Sequence, residues 1–515
     1  MQLGRILFFL DFPNAFGGAA NTLLRQAAVI KKYASDVLVT IPVNDEGSAI
    51  DEFENICKRY GLRYSFQKYS VSITAEVVDI VGILKNCNNM EKYIERYNPD
   101  IVHSAQINVC VEMVCRKLGI AHIMNVYQCT EHIFRLDYPD IFPRYHICDS
   151  RYYQKRWKKR LQLDSICIRN ICEIVDVKKW KLQDPVLVCV GNLCERKNQL
   201  EVIKAVHLLL LDGVSVYIYF YGYDNSIYGE KCIKYIEENR IGDRVKIKGF
   251  VPAAEVEIAK CDALVCGSKS ESFPNVIGEA MAGRTAVIST PVAGVPEILK
   301  NNENAYLCKG YKAEDIYLAI KVFYAQRGTQ AQKDLVERAF QTYLKEFSPN
   351  AVANKLLDYY KFVFKDNFEK GRGFLHISNI LSPYTQFISL FEENEKNFRR
   401  PLEMRSMIWL IPYIRNSLES KSYKELIIWG AGIYGADAML FAKIYFPQLT
   451  IKCFIDKEKV GDYLGCPICR VENVNWENSL IWIAFVYGQL EAIKILSQMK
   501  LEYHKDFFFL APMNL

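Results

Sequence analysis

The chain has 515 residues, half of them hydrophobic and 24% charged, a soluble globular balance on a length too great for one compact core. A formal charge of +6 is too small at this size to mark a nucleic-acid binder, and no run approaches 18 consecutive apolar residues, so nothing is expected to span a membrane. Seventeen cysteines lie without regular spacing, and residues 1–12 read as a first strand and not a signal peptide, so a reduced, cytoplasmic protein is expected. Cys466 and Cys469 form the one C-x-x-C, which lacks the partners of a zinc site and is expected to pack.

In chain order, residues 5–9 read as a buried strand that ends in Asp11-Phe12-Pro13-Asn14-Ala15-Phe16-Gly17-Gly18. A helical pattern follows through Leu23, Leu24, Ala27, Ala28 and Ile30, and strands are expected at 37–43, 101–103 and 121–126. Residues 151–160 are a basic, aromatic helical run that could rest on an anionic membrane surface or present a solvated face. A second series of strands begins at Val186 and continues at 214–221, 245–247, 263–266 and 286–289. Strands alternating with helices predict an α/β fold of the doubly wound kind.

Residues 350–364 have helical periodicity, and 366–420 are helical and mixed in charge, a connecting segment. A third, smaller α/β unit is expected over 421–515. Its strand at 426–429 runs into Gly430-Ala431-Gly432-Ile433-Tyr434-Gly435 and a helix, and Asp456 ends the next strand 21 positions after Gly435. That is the dinucleotide-fold fingerprint in its strand–turn–helix setting. A nucleotide could lie on Gly430, Gly432 and Gly435 with Asp456 at its ribose, or the turn could serve close packing alone.

The densest chemistry lies at Ser270-Glu271-Ser272-Phe273-Pro274-Asn275-Val276-Ile277-Gly278-Glu279. The apolar run before it reads as a buried strand, and Pro274 suits the first turn of the helix that follows. Glu271 then falls in a loop at the carboxyl end of a strand, where open α/β sheets bind ligands. Glu279 falls about one and a half turns into the helix, so both carboxylates can face one cleft. The start of that helix offers N–H groups to an anion or a hydroxyl-rich ligand.

This stretch, with Gly249-Phe250-Val251 before it and Val292-Ala293-Gly294-Val295-Pro296-Glu297-Ile298 after it, resembles the donor-binding half of glycosyltransferase family 4, retaining enzymes of the GT-B fold. Val188-Cys189-Val190-Gly191-Asn192-Leu193 and Glu195-Arg196-Lys197-Asn198 resemble the family's phosphate-binding strand and loop. The resemblance covers about the first 365 residues and implies an acceptor-side domain at 1–175, a donor-side domain at 176–348 and a crossover helix at 349–365. Residues 366–420 and 421–515 complete the expected organisation.

By the same resemblance, Lys197 contacts the donor diphosphate with Arg196 beside it, Glu271 binds hydroxyls of the transferred sugar, and Glu279 accepts from the ribose. Phe273, Asn275 and Val276 would turn N–H groups to sugar and phosphate, while Pro274 donates nothing. Gly17 and Gly18 match the glycine loop of the first domain, and Phe250 and Val251 border the base. The family's arginine after the strand glycine is Asn192 here. Its strand-end histidine is replaced by Tyr127-Gln128, which leaves His103 and His132 as packing or cleft-lining residues or as acceptor-side candidates.

No two aspartates are separated by one residue, so no metal-holding Asp-x-Asp is apparent, and cationic groups are expected to neutralise the leaving diphosphate. The expected function is transfer from a nucleotide-diphosphate sugar to a glycan or lipid-linked acceptor in surface polysaccharide synthesis, with no cofactor required and no nucleic acid as partner. A nucleotide-sugar 2-epimerase and a catalytically idle nucleotide-sugar-binding protein are the alternatives. The sequence says nothing of oligomeric state.

Overall fold

The computed structural model describes residues 3–10, 18–42, 50–67, 80–105, 109–127, 144–161, 164–369, 387, 390–391, 393–401, 404, 407–485, 488–502 and 505–510. Its frame is three mainly parallel sheets. The first holds β1 (Leu3–Phe9), β2 (Ala34–Pro42), β3 (Arg63–Gln67), β4 (Ile101–Ala105), β5 (Ala121–Asn125), β6 (Tyr145–Cys148) and β7 (Ile166–Cys167). They lie in the order β3-β2-β1-β4-β5-β6-β7, all parallel, with Leu7 opposite both Leu38 and Val102.

The second sheet holds β8 (Val186–Val190), β9 (Tyr217–Tyr221), β10 (Val245–Ile247), β11 (Ala263–Cys266), β12 (Ala286–Ser289) and β13 (Tyr306–Leu307). Its order, β10-β9-β8-β11-β12-β13, repeats the pattern of the first. β11 is buried throughout between β8 and β12, as a run of Ala, Leu, Val and Cys should be when helices cover both faces. In both sheets the chain leaves the first strand on one side and returns on the other. A crevice therefore opens at the carboxyl ends, between β1 and β4 and between β8 and β11. This is the α/β, doubly wound architecture that the alternating pattern predicted.

The helix Pro349–Glu369 leaves the second sheet and packs Val352, Leu356, Tyr360 and Val363 into the core of the first. Sequence reading ends this helix near residue 364; it runs one further turn and joins the first unit through the Tyr145 hydroxyl, which donates to Asp366 at 2.9 Å.

The third sheet holds β14 (Glu425–Trp429), β15 (Thr450–Ile455), β16 (Gly461–Tyr463), β17 (Cys466–Cys469), β18 (Ser479–Ile483) and β19 (Phe507–Phe509). Its order is β16-β17-β15-β14-β18-β19, parallel except for the β16–β17 hairpin. Helix Ile433–Tyr445 follows the glycine turn and covers one face. Phe387, Phe391, Phe398, Met407 and Ile411 form one continuous core with that helix and with the helical layer of the first sheet. Part of the expected connecting segment is thus a packed layer, because its apolar residues recur on one side.

Candidate active site

The crevice of the second sheet is built by two loops, one after β8 and one after β11. Gly191 takes φ +140°, and a Cβ there would lie 3.2 Å from the Lys197 Cε, so the missing side chain lets the lysine lie over the strand end. Asn198, in the left-handed region at φ 62°, donates its side-chain N–H to the Gly267 carbonyl at 2.9 Å and the Tyr311 carbonyl at 2.8 Å. The Lys269 N–H also donates to the Arg196 carbonyl at 2.9 Å, so the two loops are tied together by backbone.

Glu271 sits between them. Its carboxylate pairs with Lys197 at 2.6 Å and with Arg196 at 2.8 Å, and the Ser268 hydroxyl donates to it at 3.0 Å. Burial pushes this carboxyl up, but the two cations outweigh burial and hold it below the usual carboxylate range. The sequence placed these three residues near one ligand; the structure brings them into direct contact.

Glu279 lies on the helix Asn275–Ala282, one residue later in register than the sequence reading, since Pro274 is the cap preceding the first turn. Its carboxylate is buried and pairs at 3.0 Å with Arg25, from the helix Gly18–Ile30 of the first unit. Burial raises this carboxyl, and Arg25 opposes that rise. Arg25 further donates to the Ile171 carbonyl at 2.9 Å and lies 4.0 Å from Glu255, which Arg59 holds at 3.0 Å.

The start of the same helix also meets the first unit. Asn275 Nδ2 donates to the Gly18 carbonyl and to the Thr22 hydroxyl, each at 3.2 Å, and Asn275 Oδ1 accepts from Asn170. A Cβ on Gly18 would lie 3.5 Å from that Nδ2, an ordinary contact, so packing does not itself demand glycine there. Gly17 lies outside the described residues, as does His132. Phe273 is buried against Phe347, with ring centroids 5.1 Å apart, and Arg169 stands over its ring. Val251 and Val276 pack on the same core. Asn192 is exposed and accepts from the Tyr223 N–H at 3.4 Å.

Phe250 stacks flat on Tyr223, centroids 4.6 Å apart and planes 5° from parallel, at the ends of β10 and β9. Tyr223 was missed in the sequence because nothing local marks it as the partner of a ring 27 positions later.

His103 takes the packing role of the two readings open to it. It is fully buried on β4, its Nδ1 bonded to the Tyr360 hydroxyl at 2.6 Å and its Nε2 to the Asn125 side chain at 3.0 Å. Burial pushes its pKa down to about 3. It ties the crossover helix to the first sheet and is not on an acceptor surface.

In the third sheet Gly430, Gly432 and Gly435 form the turn after β14. A Cβ at Gly435 would come within 1.9 Å of the Gly430 carbonyl oxygen, so that glycine is required by packing alone. Asp456 accepts from the N–H groups of Ala431 at 3.1 Å, Glu458 at 2.9 Å and Lys459 at 3.0 Å. Burial pushes its carboxyl up, but these donors hold it below the usual range. The Tyr463 hydroxyl donates to the Gly432 carbonyl at 2.9 Å, so the turn is held from within its own unit.

Two surface hollows, of about 390 and 500 Å³, lie against the crossover helix at Tyr359 and at Phe364, away from the crevice. Among the described residues, no group of three His, Cys, Asp or Glu side chains is placed to hold a metal ion. No described helix is long and apolar enough to cross a membrane.

Two doubly wound units facing one crevice define the GT-B class of fold. Residues 171–342 match the family model "Glycosyl transferases group 1", so the chain carries a glycosyltransferase group 1 domain. It is similar to the lipopolysaccharide core biosynthesis glycosyltransferase LpsE of Rhizobium meliloti (strain 1021), 26% identical over 39% of this chain and 58% of that protein. It is 24% identical to the N-acetyl-alpha-D-glucosaminyl L-malate synthase of Bacillus anthracis over 44% of this chain and 55% of that one. The matches span less than two thirds of those relatives. Among solved structures, a glycosyltransferase from Rickettsia africae ESF-5 superposes with a TM-score of 0.58 at 15% identity, covering 71% of this chain and 99% of that one. Anabaena Alr3699/HepE, in complex with UDP-glucose, does so at 0.57 and 16% identity, covering 69% of this chain and 99% of that one.

Proposed function

We propose that this chain is a family 4-type glycosyltransferase that moves a sugar from a nucleotide-diphosphate donor to a glycan or lipid-linked acceptor, with retention and without a metal. The observation that carries the reading is the contact of Glu271 with Lys197 and Arg196 at the carboxyl edge of β8 and β11. A diphosphate entering there competes with Glu271 for both cations and frees the carboxylate to accept from the hydroxyls of the sugar. Charge that grows on the leaving phosphate is then met by Lys197, 20% exposed, and by the more open Arg196. Glu279, once released from Arg25, is placed to accept from the ribose. Phe250 and Tyr223 offer an aromatic border for the base.

Surface polysaccharide synthesis is supported by the names of the relatives. That of Campylobacter jejuni, 24% identical over 47% of its length, includes a diphospho-undecaprenol acceptor. The helix Arg151–Leu161 buries Tyr153 and Trp157 and exposes Arg151, Lys155, Lys158 and Lys159, a face suited to peripheral contact with an anionic membrane at the cytoplasmic side. A nucleotide at the third sheet would have to draw Asp456 away from three N–H groups, so we assign the donor to the crevice of the first two sheets.

Calorimetric titration with UDP, GDP and ADP tests the site. One nucleotide is expected to bind the parent chain, and Lys197→Ala to weaken it by about tenfold, the value of a charge-assisted contact of about 1.4 kcal/mol. Unchanged affinity in that variant contradicts the phosphate site.

A further inference from the structure

The loop that carries Glu271 is held from the opposite side of the crevice. Asp149, the residue after β6, is buried and accepts a hydrogen bond from the Ser272 hydroxyl. The Ser150 hydroxyl lies 3.3 Å from that of Ser272, and the Gly294 N–H donates to the Ser272 carbonyl at 3.1 Å. A Cβ on Gly294 would come within 2.6 Å of both the Ser150 Cβ and the Ser272 carbonyl oxygen, so the approach of the two units requires glycine there. Arg169 donates to the Asp149 carbonyl at 2.7 Å and pairs with Glu297. Glu297 in turn accepts from the N–H groups of Arg151 at 3.0 Å and Tyr152 at 2.6 Å, the first turn of the helix after Asp149.

Resting on the glycosyl-transfer reading above, we propose that Asp149 is a positioning residue: through Ser272 it fixes, from the acceptor-side unit, the loop that presents Glu271 to the donor sugar. Ser272 adjoins Glu271 in the chain, so a tie on the serine restricts the backbone that aims the carboxylate. Within the donor-side unit Gly294 holds the Ser272 carbonyl and Lys197, Arg196 and Ser268 grip the Glu271 side chain, while among the described residues the Ser272 hydroxyl meets Asp149 and Ser150 of the other half.

The charges that face Asp149 give the tie a pH dependence. Burial raises its carboxyl to about 7, the Ser272 hydroxyl and Arg169 oppose that rise, and Glu271 adds to it. Ionised, Asp149 accepts a charge-assisted bond; protonated, it holds the serine about half as strongly. Turnover should therefore rise with pH through about 7. Replacing the carboxylate with a neutral amide removes a buried charge, so the same change should raise stability at pH 8 while it lowers turnover.

The test uses the full chain and release of nucleoside diphosphate from UDP-, GDP- and ADP-linked hexoses. Asp149→Asn and Ser272→Ala are each expected to lower turnover about tenfold, or about 1.4 kcal/mol of transition-state stabilisation, with nucleoside diphosphate affinity unchanged. Ser272→Thr keeps the hydroxyl and should keep the rate, and the limb near neutral pH should vanish in Asp149→Asn. Parental rates and pH profile in both variants overturn the proposal, as does loss of affinity and stability together, the mark of a merely structural residue. If the parent chain binds none of the three nucleoside diphosphates, the glycosyl-transfer reading falls. Hydrogen exchange then judges the tie by itself: residues 268–274 exchange faster in Ser272→Ala than in Ser272→Thr if it exists, and equal exchange overturns it.

Discussion

Arg25 Nη1 lies 3.0 Å from Glu279 Oε1, and the two side chains, 3% and 5% exposed, come from different units of the chain. A guanidinium on a helix of the first unit thus neutralises the carboxylate that sequence resemblance assigns to the ribose. Removing two charges from water is costly, and the pair is kept by geometry: Arg25 also reaches the Ile171 carbonyl at 2.9 Å, at the junction between units. The contact couples the relation of the two halves to the ionisation of Glu279.

Arg25→Met should accordingly destabilise the chain by about 3–5 kcal/mol, the usual cost of leaving one member of a buried pair. The sign of its pH dependence follows from Glu279, whose carboxyl burial already raises above its ordinary value. A raised acid pKa gives stability that is present at low pH and is lost as pH rises through the folded value. Without Arg25 that pKa climbs further, so the deficit in denaturant unfolding should be larger at pH 8 than at pH 5. A deficit equal at both would show that the carboxylate is not the cause.

Glu271→Gln separates binding from turnover. The parent carboxylate occupies Lys197 at 2.6 Å and Arg196 at 2.8 Å, so an entering diphosphate must compete with it. The amide removes the competitor, and the affinity for the nucleoside diphosphate should rise severalfold while sugar transfer or donor hydrolysis falls by about two orders of magnitude. Weaker nucleotide binding in this variant would count against the shared site.

The parts of this site that were legible in the sequence are those whose signal is local. Glu271, Pro274 and Glu279 follow a short apolar strand, and Gly191 precedes Lys197 by six positions. β11 and β12 were read with their observed bounds because buried parallel strands are short apolar runs. β7 and β13, two residues each, carry no periodicity at all. Arg25, Asp149 and Arg169 were invisible for another reason. Their partners Glu279, Ser272 and Glu297 lie more than 120 positions away, and only the facing of two sheets brings them together. His103 stayed open between packing and an acceptor-side role because a histidine on a strand end looks alike whether it meets solvent or, as here, a tyrosine from a distant helix.

His146 gives a test of polar burial in the first sheet. It is 2% exposed on β6, and among the described residues neither ring nitrogen has a hydrogen-bond partner. Burial lowers its pKa to about 4, which the unfolded chain restores to about 6.5. Between those values the unfolded state binds the extra proton, so stability rises with pH across that window. His146→Leu removes the orphaned groups and should stabilise the chain by about 1–3 kcal/mol near neutral pH, with a larger gain at pH 5. A gain independent of pH would mean that the ring titrates alike in the folded and unfolded chain.

The third sheet poses a question of autonomy that a deletion series answers. One face, with Ile427, Ile455, Ile481 and Ile483, is covered by residues of the same unit, including Ala492 and Leu496. The other is covered by the helix Ile433–Tyr445, whose outer side packs against residues 387–411. There the Tyr445 hydroxyl donates to the Phe387 carbonyl at 3.0 Å, and the buried Asp437 accepts from the Arg399 N–H at 2.9 Å and the Arg400 N–H at 2.8 Å. A fragment of 421–515 loses these contacts and bares Tyr445, whose ring meets that of Phe387 at 6.2 Å, a burial that contributes about 1.5–3 kcal/mol. A fragment of 387–515 restores most of that cover. The longer piece should melt cooperatively at a higher temperature, and the shorter should aggregate or bind a hydrophobic dye. Equal melting of the two would place the helical layer outside the core of the unit, and the stability of the third sheet would then have to come from its strands and the glycine turn alone.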